Sequence, residues 1–376
     1  MNTEDPIRVL IVDDTITYRK IVSDVLADLP GVEVVGSAAN GKIALQKIEQ
    51  LRPDLLTLDL EMPELDGLGV LRHLRDTGST VRAIMLSGIT AEGAALTMAA
   101  LELGAFDFAL KPINGTAEEN MVLLRHELRL KVQTFARAKR VHTILHGPGP
   151  SSPHTLTAPA PSKNRDPAPR ARSAFEVGAG RPEIVVLGIS TGGPASLTRM
   201  LPQLPANLGV PVLIVQHMPP IFTKSLADDL NRRCALTVCE ASDGQLVSPG
   251  YVLIAPGGKQ MKVERTGGHI VVQITDDPPE NSCKPSVDYL FRSASKICGR
   301  NALGVIMTGM GNDGTRGCRE MKRQGASIVA QDEATCVVYG MPKGPIEEGI
   351  ADVVTPLDCI AAEIVRLVGK GVNICK

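Results

Sequence analysis

Asp13, Asp14, Asp59, Ser87 and Lys111 fall where polar side chains could do chemistry together. Each stands at or near the end of an apolar run: IRVLIVDD (7–14), DLLTLDL (54–60), RAIMLSG (82–88) and DFALKP (107–112). In a parallel sheet the carboxyl ends of the strands converge on one edge, where ligands bind. Carboxylates crowded at such an edge repel one another unless a cation joins them. Hard oxygen donors with room for water suit Mg²⁺. Lys111 can add positive charge and Ser87 a hydroxyl. A single strand-end Asp is ordinarily a turn residue, but polar groups on so many matching strand ends read as a pocket.

A second group lies further along the chain. GISTG (188–192) follows a strong apolar run and matches G-x-S-x-G, with Pro194 placed to enter the first turn of a helix. That is the strand–turn–helix setting a nucleophile elbow requires. It would expose Ser190 and aim helix-start N–H groups at an oxyanion. The rival, a phosphate-binding glycine loop, is disfavoured because no Walker lysine follows and GISTGG is not G-x-G-x-x-G. Of the histidines, His142, His146 and His154 lie in or beside a Pro-rich stretch, and His73 and His126 lie in the first half. His269 opens a hairpin strand, whereas His217 ends VPVLIVQH on the same predicted edge as Ser190. Asp313, in MTGMGNDG beyond the run ALGVIMTG, is the matching carboxylate. Asp243 and the Asp276–Asp277 pair occupy no such clear strand end. The chain order Ser, His, Asp is not that of the α/β-hydrolases, but a triad is defined by geometry rather than order.

The elements that must position these groups alternate between strand and helix in both halves, the pattern of α/β domains with parallel sheets. The first half adds VEVVGSA (32–38), and a last helix is expected from an N-cap at Thr116 to about His142. The second half reads as strands at 183–190, 210–217, 236–241, 302–309, 327–332 and 352–356. Between 250 and 275, short strands separated by PGG and TGG read as antiparallel hairpins. Residues 147–182 hold eight of the 27 prolines and few large apolar residues, which predicts a flexible, partly extended linker.

Composition narrows the class. Over 376 residues, enough for two domains, the formal net charge is −1 and aromatics make up 3% with no Trp. A dedicated nucleic-acid binder would show a basic excess. No apolar run approaches the roughly 18 residues of a membrane span. The start MNTEDP does not read as a signal peptide, so a cytoplasmic location is expected. All eight cysteines follow residue 230 with no C-x-x-C spacing, which suggests reduced thiols rather than a zinc ribbon.

VDD, LDLEMPELDG, LSG and GAFDFALKP together resemble the receiver domain of two-component response regulators over roughly residues 6–125. The resemblance implies that Asp59 is phosphorylated by a sensor histidine kinase. It implies that Mg²⁺ is bound by Asp14, Asp59 and the Glu61 backbone carbonyl, with Asp13 in the acidic pocket. Ser87 and Lys111 would contact the phosphoryl group, and Phe108 would be an aromatic switch. IGISTGGPASL, VQHMPPIFTKSLADDLN, IAPGG, KPSVDYLFRSA and GVIMTGMGNDGTRG resemble the chemotaxis protein-glutamate methylesterases. That likeness implies Ser190 as nucleophile, His217 as base and Asp313 as orienting acid, supported by Thr191 and by the Met310 backbone at the oxyanion. The expected architecture is a flavodoxin-like receiver with a five-stranded parallel sheet, then a helix extension and linker over 126–181. A doubly wound, mostly parallel α/β methylesterase domain with an antiparallel hairpin insertion follows over 182–372. The implied function is demethylation of glutamate methyl esters, and deamidation of glutamines, on methyl-accepting chemoreceptors, with no cofactor for hydrolysis. The alternative is a non-catalytic regulator in which the receiver controls a binding domain.

Overall fold

The computed structural model describes residues 5–112, 115–146 and 181–369. The Pro-rich stretch over 147–180 and Cys375 lie outside these residues. The first unit runs β1 Ile7–Val12, α1 Ile16–Ala27, β2 Val32–Ala38, α2 Gly41–Leu51, β3 Leu55–Asp59, α3 Gly67–Asp76, β4 Arg82–Ser87, α4 Ala91–Glu102, β5 Asp107–Leu110 and α5 Ala117–His146. Its five strands are parallel in the order β2-β1-β3-β4-β5. Helices cover both faces, which is why β3 and β4 are apolar almost throughout. Thr116 and Glu119 hydrogen-bond reciprocally at the start of α5, a capping box. Leu124, Leu128, Val132 and Phe135 form the buried stripe of α5 at helical spacing. The helix therefore packs into the first core well beyond residue 125.

The second unit begins with β6 Ile184–Ile189, α6 Gly193–Met200, β7 Val212–Gln216, α7 Phe222–Asn231, β8 Thr237–Glu240 and β9 Tyr251–Ile254. It continues with β10 Gln260–Thr266, β11 His269–Thr275, α8 Val287–Cys298, β12 Ala302–Ile306, α9 Thr315–Arg323, β13 Ser327–Gln331, α10 Lys343–Glu347, β14 Val353–Thr355 and α11 Leu357–Gly369. Seven parallel strands are ordered β14-β13-β12-β6-β7-β9-β8. One expectation needs correction: YVLI is not a hairpin strand. As β9 it pairs parallel with both β7 and β8, and among the described residues the antiparallel strand pair is β10 with β11. Its burial on both sheet faces, with Val252, Leu253 and Ile254 fully inside, favours the central parallel position.

In each sheet the strand order reverses beside the first strand, leaving a crevice at the carboxyl edge. In the first sheet it lies between β1 and β3, and in the second between β6 and β12.

The two units are in contact. One apolar cluster joins Met98 and Phe108 of the first to Phe222 and Leu226 of the second. The Phe108 and Phe222 rings stack with centroids 4.8 Å apart. Arg233 pairs with Glu102 at 2.6 Å.

Candidate functional site

At the first crevice, Asp13 and Asp14 follow β1 and Asp59 ends β3. One carboxylate oxygen from each lies within 4.8 Å of the other two. Asp13 and Asp59 are buried and Asp14 is exposed. Lys111 Nζ donates to Asp13 at 2.8 Å and to Asp59 at 2.7 Å, and lies over the Tyr18 ring. Burial pushes the Asp59 carboxyl up to about 6 despite the opposing pull of Lys111, with Asp13 adding to the rise. A cavity of about 450 Å³ beside the cluster is lined by Asp14, Glu61, Met62 and Asp66. This donor set, three carboxylates beside an open cavity, suits a hard divalent cation such as Mg²⁺.

Ser87 is buried, but its hydroxyl is engaged away from the acids. It accepts from Thr97 Oγ1 of α4 at 2.8 Å and lies within donating distance of the Gly88 and Gly93 carbonyls. Phe108 is buried against Phe222 of the second unit rather than at the acidic cluster.

At the second crevice, Ser190 follows β6 and the chain turns directly into α6. Gly192 takes φ +79°, and a Cβ at Gly193 would come within 1.9 Å of Gln216 Oε1. Only glycines allow this turn to close so tightly. His217 follows β7, the strand beside β6, and its N–H donates to the Ile189 carbonyl at 3.1 Å. The two strand ends are thus locked side by side. Gln216 Nε2 reinforces this by donating to the carbonyls of Ser190 and His217.

His217 Nε2 bonds Asp313 Oδ2 at 2.8 Å. Asp313 is 2% exposed yet amply supplied with donors. It also accepts from Val287 N (2.7 Å), Ser286 Oγ (2.9 Å), Asn281 Nδ2 (3.0 Å) and Asp288 N (3.2 Å). Several of these donors belong to the start of α8, where the helix dipole favours negative charge. Burial opposes ionisation of Asp313, but His217 and the other donors outweigh it and hold the carboxyl below its usual range. Asp288 returns the favour: its Oδ1 accepts from Gly314 and Gly317 at the start of α9. For His217, burial opposes the charge, while Asp313 and Cys283 push the imidazole up to about 9. With Nε2 committed to Asp313, Nδ1 is the nitrogen left to accept a proton. Cys283 Sγ lies 3.7 Å from it.

The rival residues are occupied elsewhere. Asp243 accepts from Ile274 N, Asp276 pairs with Lys259, and His269 is exposed at the hairpin. Thr191 and Met310 flank the elbow, but their side chains face the first unit. Thr191 Oγ1 donates to Asp107 at 3.0 Å, and the Met310 sulfur meets Thr134 of α5.

Several of these residues escaped the sequence reading. Gln216, Asn281 and Asp107 carry no local signal. Ser286 and Asp288 did carry one, since Ser-x-Asp before an apolar helical run marks a capped helix start.

The fold and these two crevices define the class: a receiver-like domain joined to an α/β domain in which a His217–Asp313 pair stands on the strand end beside Ser190. Residues 9–122 match the response regulator receiver domain and residues 185–364 match the CheB methylesterase domain. A protein-glutamate methylesterase/protein-glutamine glutaminase of Desulfotalea psychrophila is 51% identical, covering 96% of this chain and 98% of that protein. One from Trichodesmium erythraeum is 41% identical over 96% of this chain and 99% of its own length. The CheB methylesterase catalytic domain of Thermotoga maritima is similar at 45% identity and a TM-score of 0.49, covering 50% of this chain and 99% of that domain. The chain belongs to the protein-glutamate methylesterase/protein-glutamine glutaminase family.

Proposed function

We propose that this chain is a phosphorylation-activated serine esterase of chemotaxis-type adaptation. It hydrolyses glutamate methyl esters on chemoreceptors, releasing methanol, and deamidates receptor glutamines. The observation that carries the reading is the saturated Asp313 holding His217 at a strand end locked beside Ser190. A non-catalytic binding module would have no use for that arrangement.

Ser190 Oγ attacks the ester carbonyl and gives its proton to His217 Nδ1. Backbone N–H groups of the turn that precedes α6, at Thr191 and Gly192, and at Met310 are the donors we assign to the oxyanion, since the Gly193 N–H is given to the Ser190 carbonyl and Pro194 has none. The same proton passes to the leaving oxygen, which departs as methanol. Water, deprotonated by Nδ1, then cleaves the acyl-serine to give glutamate. A glutamine side chain enters the same course with ammonia leaving.

Control rests on the first domain. A sensor histidine kinase is the phosphodonor and Asp59 the acceptor. Asp14, Asp59 and the Glu61 carbonyl would hold Mg²⁺, which neutralises charge on the oxygens during phosphoryl transfer. Lys111 already reaches Asp59. For Ser87 to donate to a phosphoryl group, its O–H must turn away from the Gly88 and Gly93 carbonyls, which loosens its hold on the start of α4. That helix carries Glu102, and β5 carries Asp107 and Phe108, all three in contact with the second domain. An aromatic pair adds roughly 0.5–1.5 kcal/mol beyond its buried area. An exposed ion pair adds at most about 1 kcal/mol. Contacts of this size are within reach of a phosphoryl charge placed at the other end of α4. The receiver contacts residues on either side of Ser190, which supports occlusion against a large substrate in the unphosphorylated state. The cytoplasmic helices of chemoreceptors, as the substrate, set the cytoplasm as the working compartment.

The test is methanol release from methylated chemoreceptor membranes by the purified full-length chain, with and without a small phosphodonor and Mg²⁺. Release accelerated by the phosphodonor is the expected result. A folded chain that releases none under either condition overturns the reading.

A further inference from the structure

Cys283 neither attacks the ester nor carries its proton in the course described above, yet it is held against the imidazole. It follows Asn281 and Ser282, non-glycine residues at φ 50° and φ 63°. Left-handed conformations at two successive non-glycine residues are uncommon and persist where surrounding structure enforces them. Here Glu280 and Cys283 close the turn with two backbone hydrogen bonds of 3.1 and 2.7 Å, and Asn281 is tied to Asp288 and Asp313. The outcome is a thiol with Sγ 3.7 Å from His217 Nδ1.

We propose that Cys283 Sγ and His217 Nδ1 form a binding site for a thiophilic divalent cation of the Zn²⁺ class, and that its occupation switches the esterase off. Tetrahedral zinc with bonds of roughly 2.3 Å to sulfur and about 2.05 Å to nitrogen separates those two atoms by about 3.6 Å. The observed separation is 3.7 Å, close to that bite. Behind the imidazole, Asp313 takes the Nε2–H at 2.8 Å, the carboxylate–histidine arrangement that orients a metal-bound ring. The ligand atoms of His217, Cys283 and Asp313 all lie within 4.8 Å of one another. Both Asp313 oxygens are already engaged, so the carboxylate serves as the outer partner and water completes the coordination.

The chemistry is selective. Thiolate and imidazole favour zinc over the hard cation that suits the three aspartates of the first domain. Binding displaces the thiol proton, and any proton on Nδ1, to solvent. It also consumes the Nδ1 lone pair that the ester mechanism needs. Cys283 is only partly buried and the His217 side chain is 14% exposed, so the pair lies within reach of solvent.

The inhibitory half of this proposal rests on the esterase reading; the binding half does not. The full-length chain, stripped with a chelator and desalted, is titrated with Co²⁺ as a spectroscopic stand-in for zinc. The expected result is a thiolate-to-cobalt charge-transfer band saturating at one ion per chain. The band should survive in Ser190→Ala, which cannot turn over ester, and vanish in both Cys283→Ser and Cys283→Ala. Added Mg²⁺ should not displace it. In methanol-release assays, Zn²⁺ should inhibit the wild-type chain. The Cys283 variants should need more zinc for the same fractional inhibition, by at least the roughly tenfold that loss of even an outer-shell partner costs. No band in the wild type, or an equal band in both Cys283 variants, overturns the site. Equal zinc sensitivity in all chains overturns its inhibitory role.

Discussion

The two crevices place a carboxylate on the same kind of strand-end edge and treat it in opposite ways. Asp59 is buried with a lysine and one backbone N–H as donors, among other acids, and its carboxyl is pushed up to about 6. Asp313 is more deeply buried but accepts from a histidine, an amide, a hydroxyl and two backbone N–H groups, and is held below its usual range. The difference fits the roles proposed for the two acids. A carboxylate that receives a phosphoryl group needs an oxygen still open to attack, so its site leaves it short of donors and relies on cations. A carboxylate that only orients an imidazole loses nothing by having every lone pair occupied. On the proposed roles, saturation goes with the positioning acid and shortage with the reacting one.

The largest effect is expected at Ser190, the proposed nucleophile. Ser190→Ala should cut methanol release by about 10⁴- to 10⁶-fold without loss of fold. A folded variant with normal release would remove the esterase from this crevice. Next is Asp313→Asn. An amide there can donate to Nε2 and select the wrong tautomer, a change that costs about 10⁴-fold in the serine-protease precedent. Wild-type rates for Asp313→Asn would mean that saturation at this position serves the helix start of α8 rather than His217.

The pH profile sharpens the same point. The imidazole is raised to about 9, so it is largely charged at neutral pH, and only the neutral ring accepts the serine proton. Hydrolysis should therefore rise with pH, by roughly tenfold per unit below the pKa, and level off near 9. A plateau already reached at pH 7 would show that Asp313 and Cys283 do not hold the proton on the ring.

Smaller effects are expected at the first crevice and the contact between domains. Asp59→Asn should abolish stimulation by a phosphodonor while leaving basal hydrolysis intact, and persistent stimulation would place the acceptor elsewhere. Glu102→Gln removes one exposed ion pair worth at most about 1 kcal/mol, so basal release from receptor membranes should rise no more than about fivefold. Unchanged release from a fragment starting near Arg181, which lacks the whole receiver, would exclude occlusion as the means of control.

Much of this molecule was legible in its residues. Apolar runs ending in VDD, LDL, LSG and LKP place the acidic pocket, because parallel strands end on one edge whatever the details of packing. GISTG, the terminal His217 and the glycine-rich loop around Asp313 locate the second crevice for the same reason. The sequence misled at YVLI, where PGG and TGG punctuation suggested a run of hairpins. Glycine pairs mark turns but do not say which partner a strand finds, and β9 pairs in parallel with β7 and β8, both before it in the chain, rather than with the strand that follows. Tertiary structure alone decided the donors around Asp313, since Asn281 and Ser286 reach it from about thirty residues away. It alone turned Ser87 toward Thr97, set Phe108 on Phe222 and Thr191 on Asp107, and brought Cys283 to His217. Strand periodicity and turn chemistry are local and can be read from a single chain. Hydrogen-bond saturation and domain contact depend on which distant segments share a space, and only the folded molecule settles that.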